Sequence, residues 1–168
     1  MWLRSPTLRL SLLLAVTALL ATMRVLAEPA ASPQAEPARV AGTDVLLLPK
    51  ARVDAAFAKG APLVETPLYK VQASRRDAPG MGEVHVRDTD ILYVLSGSAT
   101  LTTGGELVAP RRIGADELRG AGIAGGTQQS VGAGDLIVIP NGVPHWFERV
   151  DSPIVYYVVK ATDTGAAR

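Results

Sequence analysis

The chain has 168 residues, of which 48% are apolar, 20% charged and 5% aromatic, and it contains no cysteine. A chain of this length predicts one globular domain with a sizeable core. The lack of cysteine excludes disulfide scaffolds, thiolate metal sites and thiol nucleophiles, so the chemistry must come from oxygen and nitrogen groups. The formal net charge of +1 and the few aromatic side chains give no signal for nucleic acid and favour a small-molecule partner.

Residues 1–27 have the pattern of a secretory signal peptide. Arg4 and Arg9 precede an uncharged run of 14 residues, 10–23, and residues 25–27 are small or medium-sized. The run is shorter than the roughly 18 residues of a spanning helix, which favours cleavage after Ala27 over an uncleaved anchor. We therefore expect a secreted or periplasmic protein with no membrane attachment after cleavage. Three of the 17 basic residues and none of the 16 acidic ones lie in this segment, so the mature net charge is about −2.

The segments that follow the signal change in character along the chain. Residues 28–42 contain three prolines and almost nothing large and apolar, which predicts a disordered Pro/Ala-rich linker. The short apolar run 44–48 predicts a strand. Residues 52–59 carry Val53, Ala56 and Phe57 at helical spacing before Gly60, which predicts a short helix.

From residue 63 onward the pattern is that of short strands separated by turns, and no long helical pattern interrupts it. This predicts an all-β sandwich or barrel. The stretch 113–126 breaks the rhythm and predicts an extended loop with a helical turn at 116–119. The predicted strands are 63–73, 82–86, 91–96, 99–103, 106–110, 127–131, 135–139, 145–149 and 154–159, with a turn at 96–98.

The two histidines of the chain lie in two separate polar motifs. In the first motif Glu83 and His85 share one face of a predicted strand, because alternate residues of a strand point to the same side. Asp90 follows after a polar bend and leads into an apolar strand. Three oxygen and nitrogen donors within eight residues suit a divalent metal. In the second motif the strand that ends at Ile139 is followed by a turn, and Pro144 fixes the backbone directly before His145.

Together the two motifs resemble the paired motifs of the cupin superfamily. In the second motif Gly134, Pro140, Gly142 and His145 are in register with the family pattern, while Arg149 stands where the family has asparagine. The spacing of the first motif also matches, through the residues His85, Asp90 and Gly97.

The first motif departs from the family pattern at three positions. Glu83 replaces its first histidine, and Asp90 replaces its glutamate. The opening glycine of the family falls at Asp77, so Gly80 or Gly82 is expected to make the turn in its place.

The resemblance covers about residues 63–159 and implies a double-stranded β-helix, or jelly-roll barrel, in a single domain at 43–168, with a short N-terminal helix. It also implies a homodimer and a metal or ligand site inside the barrel. The ligand positions of the family are occupied here by Glu83, His85, Asp90 and His145. Two imidazoles and two carboxylates suit manganese, iron(II) or zinc, and copper less well. The alternative is a metal-free pocket in which these side chains form hydrogen bonds.

Strand alternation assigns directions to the residues around the expected site. Leu92, Val94 and Phe147 are expected to line the pocket, while Tyr93 and Trp146 face away from it. Two residues that could also enter the pocket are Gln128 and Tyr157. Two arginine pairs, 75–76 and 111–112, are interpreted as solvated surface.

The sequence is compatible with two functions. One is a metal-dependent enzyme, dioxygenase-like or isomerase-like, that acts on a small organic molecule. The other is a cupin that binds a sugar or an organic acid without turnover, because a fold does not dictate a function. No general base, nucleophile or cofactor motif in the sequence separates them.

Overall fold

The computed structural model describes residues 36–39 and 44–165, which belong to one compact unit. The described chain is mostly β, with one helix, α1 (Lys50–Lys59), at its N-terminal side. The predicted signal peptide lies outside the described residues. The strands are β1 (Ala61–Glu65), β2 (Tyr69–Arg76), β3 (Gly82–His85), β4 (Asp88–Thr103), β5 (Glu106–Leu107), β6 (Arg111–Gly114), β7 (Glu117–Gly120), β8 (Ile123–Ala124), β9 (Thr127–Gly132), β10 (Leu136–Ile139) and β11 (His145–Thr162).

The two longest strands, β4 and β11, form the antiparallel centre of a curled nine-stranded sheet. One path through the sheet runs β1-β2-β11-β3-β7-β6, and β4 also pairs with β9 and β10. A separate two-stranded sheet joins β5 and β8. All strand pairs inside these sheets are antiparallel, which is consistent with the predicted jelly roll.

The interior holds a main apolar cluster built on β4 and β11. Leu101, Ile154 and Val94 are its most completely buried side chains. A second, smaller cluster packs α1 on β1 and β2, where Phe57 meets Tyr157 of β11 edge to face at 4.8 Å between ring centroids. The predicted short helix is therefore confirmed, and its apolar side covers the outer face of the sheet.

Several predicted strands are joined or divided in the structure. The predicted strands 91–96 and 99–103 form the single strand β4, and 145–149 and 154–159 form β11, so the predicted turn at 96–98 is wrong. The chain bends there without ending the strand, because Gly97 has a φ of 83° and a side chain at that position would meet the backbone of Pro153. The predicted strand 63–73 is two strands, separated by a turn in which the Thr66 hydroxyl accepts a hydrogen bond from the Tyr69 amide.

The prediction of an extended loop at 113–126 is wrong, and so is the helical turn at 116–119. This stretch contains β7 and β8, and β7 pairs with both β6 and β3. Alternating hydrophobicity is absent from β6 and β7, so the strands form because they complete the sheet edge beside β3 and not because of local propensity. The strand predicted at 106–110 shortens to β5.

One prediction near the N-terminus fails. Residues 44–48 have no regular structure, Val45 and Leu47 are 96% and 84% exposed, and no strand of the described residues pairs with this run. Of the predicted linker, the structure describes residues 36–39: the Ala38 amide donates to the Leu63 carbonyl and the Ala38 carbonyl accepts from the Glu65 amide, so these residues lie along β1. Within residues 36–39 and 44–165, no helix is long and apolar enough to cross a membrane.

Candidate metal centre

The start of β11 lies beside β3, and this pairing brings the two sequence motifs together. His145 is directly opposite Glu83 in the register of the two strands. The turn before His145 is fixed by two backbone hydrogen bonds, from the Gly142 amide to the His85 carbonyl and from the Gly104 amide to the Pro144 carbonyl, each 2.8 Å long. The turn that the sequence predicts therefore positions His145 against the first motif.

Glu83, His85 and His145 form a compact, buried group of three side chains. One ligating atom from each lies within 4.8 Å of the others, which is close enough for one ion to contact all three. His85 Nε2 is 3.6 Å from Glu83 Oε2. Two ligand atoms that share a tetrahedral ion at about 2.1 Å lie about 3.4 Å apart, so this separation suits a shared cation.

The hydrogen bonding of the two imidazoles also fits a metal ion. His85 Nε2 is buried and has no hydrogen-bond partner among the described residues, although buried polar atoms normally have one. His145 Nδ1 lies 3.1 Å from the carbonyl of Val143, which can only accept, so Nδ1 carries the proton and Nε2 keeps its lone pair. Burial, followed by the charge of Lys160, lowers the pKa of His85, which favours the neutral form that ligation needs.

Asp90 lies next to the three residues but is paired with a lysine. Its Oδ2 is 3.5 Å from His85 Nε2 and 3.9 Å from His145 Nε2. Both of its oxygens accept hydrogen bonds from Lys160 Nζ, at 2.7 and 2.8 Å. Asp90 is therefore at the predicted place, but a buried ammonium competes with any cation for its carboxylate.

The side chain of Arg76 lies in the site, so the interpretation of the first arginine pair, 75–76, as solvated surface is wrong for this residue. Its side chain extends inward from β2, donates to Glu83 Oε1 at 3.1 Å and to the Tyr156 hydroxyl at 3.0 Å, and lies over the ring of Phe147. Burial alone would raise the pKa of Glu83, but the charges of Arg76 and Arg119 outweigh it and lower the pKa. Arg76 thus holds one oxygen of Glu83 and leaves Oε2 directed at His85.

Two glycines lie at the start of β3, where Gly80 precedes the strand and Gly82 is its first residue. Neither has a positive φ. A side chain at Gly80 would occupy the position of the Arg76 guanidinium, and one at Gly82 would be 2.9 Å from the Gly122 carbonyl. Gly82 therefore requires glycine because backbone approaches it closely, whereas a side chain at Gly80 would displace the Arg76 guanidinium.

Arg119 and Glu117 reach the site from β7, which lies within the predicted loop 113–126. Arg119 lies opposite Glu83 in the register of β7 and β3. It donates to Glu117 Oε1 at 2.8 Å from Nε, and its Nη2 is 3.7 Å from Glu83 Oε2. These two residues add an ion pair at the edge of the site.

These groups line a cavity of about 260 Å³ inside the curled sheet. Leu92 and Phe147 line it as predicted, and Val158 adds a third apolar side chain. Val94 does not line the cavity. It is 1% exposed within the main apolar cluster. It lies two residues beyond Leu92 on the same face of β4 and is therefore deeper in the core than the cavity.

The remaining residues singled out in the sequence lie elsewhere. Tyr93 is exposed, and Trp146 points away from the cavity and donates to the Gly80 carbonyl at 2.8 Å, as predicted. Gln128 lines a separate polar groove with Glu148, and Tyr157 packs on Phe57, so neither enters the cavity.

Sequence reasoning missed Arg76, Glu117, Arg119, Tyr156 and Lys160. Strand alternation could have found some of them. Tyr156 and Lys160 lie on the inward face of β11, which also carries the core residues Ile154 and Val158. Arg76 lies on the inward face of β2. No local signal marks Glu117 or Arg119, because their position depends on the pairing of β7 with β3.

Comparisons with known proteins agree with the architecture. The family model described as Cupin matches residues 71–168, so the chain belongs to the cupin family. No curated protein sequence matches the chain.

Solved structures that the chain resembles share little sequence with it. The DMSP lyase DddQ from Ruegeria pomeroyi is 17% identical with a TM-score of 0.46, and the match covers 65% of this chain and 49% of that one. KdgF from a Halomonas species is 17% identical with a TM-score of 0.45, covering 63% and 81%. A Bacillus halodurans protein is 16% identical with a TM-score of 0.49, covering 70% and 82%. The chain thus spans about half the length of the Ruegeria pomeroyi lyase.

Proposed function

We propose that this protein is a metal-dependent cupin enzyme, dioxygenase-like or isomerase-like, that acts on a small organic molecule. The observation that carries the proposal is the convergence of Glu83, His85 and His145 around a buried imidazole nitrogen that has no partner among the described residues. Two imidazoles and one carboxylate form the ligand set of many non-haem iron(II) oxygenases and leave coordination positions for a substrate. Manganese and zinc suit the same donors.

The side chains of the cavity would have three different roles, namely metal binding, positioning of a ligand and exclusion of water. Glu83, His85 and His145 would hold the ion, which when bound supplies Lewis acidity toward a substrate oxygen. Arg76 keeps Glu83 in place through its hydrogen bond to Oε1. The apolar side chains Leu92, Phe147 and Val158, which also line the cavity, would keep water away from the reacting centre.

Metal analysis of the exported, purified protein tests the proposal. We expect about one divalent ion per chain, with affinity lowered at least about 100-fold in Glu83→Ala and His145→Ala. Glu148→Ala is the matched control, because Glu148 lies on β11 but lines the separate groove with Gln128. Wild-type protein that is metal-free and cannot be reconstituted with manganese, iron(II) or zinc would refute the proposal.

A second candidate is a cupin that binds a small molecule without turnover. Each carboxylate of the cavity has a cationic partner: Glu83 has Arg76, Asp90 has Lys160, and Glu117 has Arg119. This pairing supports a polar pocket that is satisfied without chemistry. Oxygen consumption and product formation by metal-loaded protein, screened against small acids and phenols, separate the two functions, since an inert loaded protein would favour binding alone.

We also propose that the protein acts in the periplasm or outside the cell, on the basis of the signal pattern in residues 1–27. A mass spectrum of exported protein that begins after Ala27 would support this, and an intact N-terminus would contradict it. The homodimer that the family resemblance implies stays a prediction, which sedimentation at micromolar concentration tests.

A further inference from the structure

The charged side chains that line the cavity balance one another. Three are cationic and three are anionic, and the two imidazoles are neutral when they ligate a metal. The cationic residues are Arg76, Arg119 and Lys160, and the anionic residues are Glu83, Asp90 and Glu117. A divalent ion added to this set therefore leaves two positive charges without compensation inside a small, partly apolar space.

Uncompensated charge in such a space is costly, because the side chains of Glu83, Asp90 and Lys160 are at most 12% exposed and water screens charge there only weakly. Among the described side chains that line the cavity, every carboxylate is already held by an arginine or a lysine. A neutral ligand such as a sugar would leave the imbalance in place. A singly charged anion would halve the imbalance and a dianion would remove it, so the charge balance favours an acid.

Arg119 is the cation best placed to receive such a ligand. Its side chain is 36% exposed, whereas that of Lys160 is 12% exposed and is already held by both oxygens of Asp90. Glu117 occupies Nε and Nη2 of Arg119, and Nη1 has no hydrogen-bond partner among the described residues. A guanidinium has five N–H donors, so donors remain for a carboxylate.

The distance between Arg119 and the metal centre suits a small acid. Arg119 Nη2 lies 3.7 Å from Glu83 Oε2, the oxygen that also faces His85. An ion held by that oxygen at about 2.1 Å would therefore lie within about 6 Å of Arg119. The cavity, at about 260 Å³, is smaller than the roughly 300–1,000 Å³ of pockets for drug-sized ligands.

We propose that the substrate is a small organic acid whose carboxylate is bound between the metal centre and Arg119. This inference rests on the metal-dependent function proposed above, and it adds the substrate class and one specificity-determining residue. The apolar wall formed by Leu92, Phe147 and Val158 contacts the carbon skeleton of the acid, and Arg119 selects its charge.

Calorimetric titration of metal-loaded full-length protein tests the inference. The probes are carboxylic acids of three to six carbons, such as succinate, the corresponding amides, such as succinamide, and a neutral polyol of similar size. We expect at least one acid to bind at least tenfold more tightly than its amide. We expect Arg119→Met to abolish this preference, and Arg119→Lys, which keeps the charge, to retain part of it.

Arg112→Met is the matched control, because Arg112 lies on the neighbouring strand β6, is exposed and does not line the cavity. The metal content of every variant is measured first, so that a variant with altered ligand binding is known to hold its ion. Equal or tighter binding of amides or polyols, or no binding of any acid, would overturn the substrate class while metal binding stands. Failure to bind metal at all would instead overturn the proposed function, and this inference with it.

Discussion

The inward faces of β4 and β11 carry two contrasting regions, an apolar core and a charged cavity. Ile154 is fully buried, and six residues further along the same face of β11 Lys160 forms a buried ion pair. On β4 the order is reversed, since Asp90 precedes Leu92 and Val94. Antiparallel pairing places Lys160 directly opposite Asp90, so both strands change from apolar to charged at the same level of the barrel.

The two regions contribute to stability in opposite ways. Burial of the aliphatic side chains stabilises the fold by roughly 25 cal/mol for each Å² removed from water. Burial of the ion pairs around His85 costs desolvation that their attraction only partly repays. Apolar residues at both levels would often be more stabilising, so the charged residues are consistent with the candidate metal site that they surround.

The largest effect is expected from truncation in the core. Leu101→Ala should lower the free energy of unfolding by about 2 to 5 kcal/mol, because it removes a fully buried side chain and leaves a cavity. Urea denaturation measures the loss. The folded fraction should bind metal as the wild type does, and a loss below about 1 kcal/mol would mean that the core can close around the gap.

Lys160→Met tests whether the buried ammonium limits metal binding. We expect metal affinity to rise about tenfold, because the change removes a nearby positive charge and frees Asp90 to ligate. The metal-free protein should lose about 1 to 3 kcal/mol, since the buried carboxylate of Asp90 is left without its hydrogen-bond donor. Competition with a chelator measures the affinity.

Lys70→Met is the control for that change, because Lys70 pairs with Asp88 outside the cavity, at 2.8 Å. It should leave metal affinity unchanged. An unchanged or weaker affinity in Lys160→Met would show that the ammonium supports the metal centre instead of competing with the ion.

The smallest effect is expected at the more exposed of the two ion pairs on β4. Asp88 accepts hydrogen bonds from Lys70 and from Thr162, and Lys70 is partly exposed. Asp88→Asn should cost about 1 kcal/mol or less, because solvent screens the pair and the amide still accepts from Thr162. Asp90→Asn, two residues away, should cost more because it leaves Lys160 buried without its partner. Equal losses in thermal unfolding would remove the distinction between the two pairs.

How far the sequence predicted the site depends on how local each signal is. The spacing of Glu83 and His85 on one strand, and the turn before His145, are local features, and the structure has both. Arg119 has no such signal, because it reaches the cavity only through the pairing of β7 with β3. Alternation predicts Val94 on the pocket face but gives only the face of a residue and not its depth, and in the structure Val94 lies in the core.

The sequence by itself determined the all-β class, the cupin motifs and four candidate donors, because these depend on residue types at fixed spacings, and the structure brings three of the four together. Only the tertiary structure decided which charges surround them. Lys160 is 70 residues from Asp90, and its pairing with Asp90 depends on the register of β4 and β11. Register is set by contacts along the whole of both strands, and so no single motif carries it.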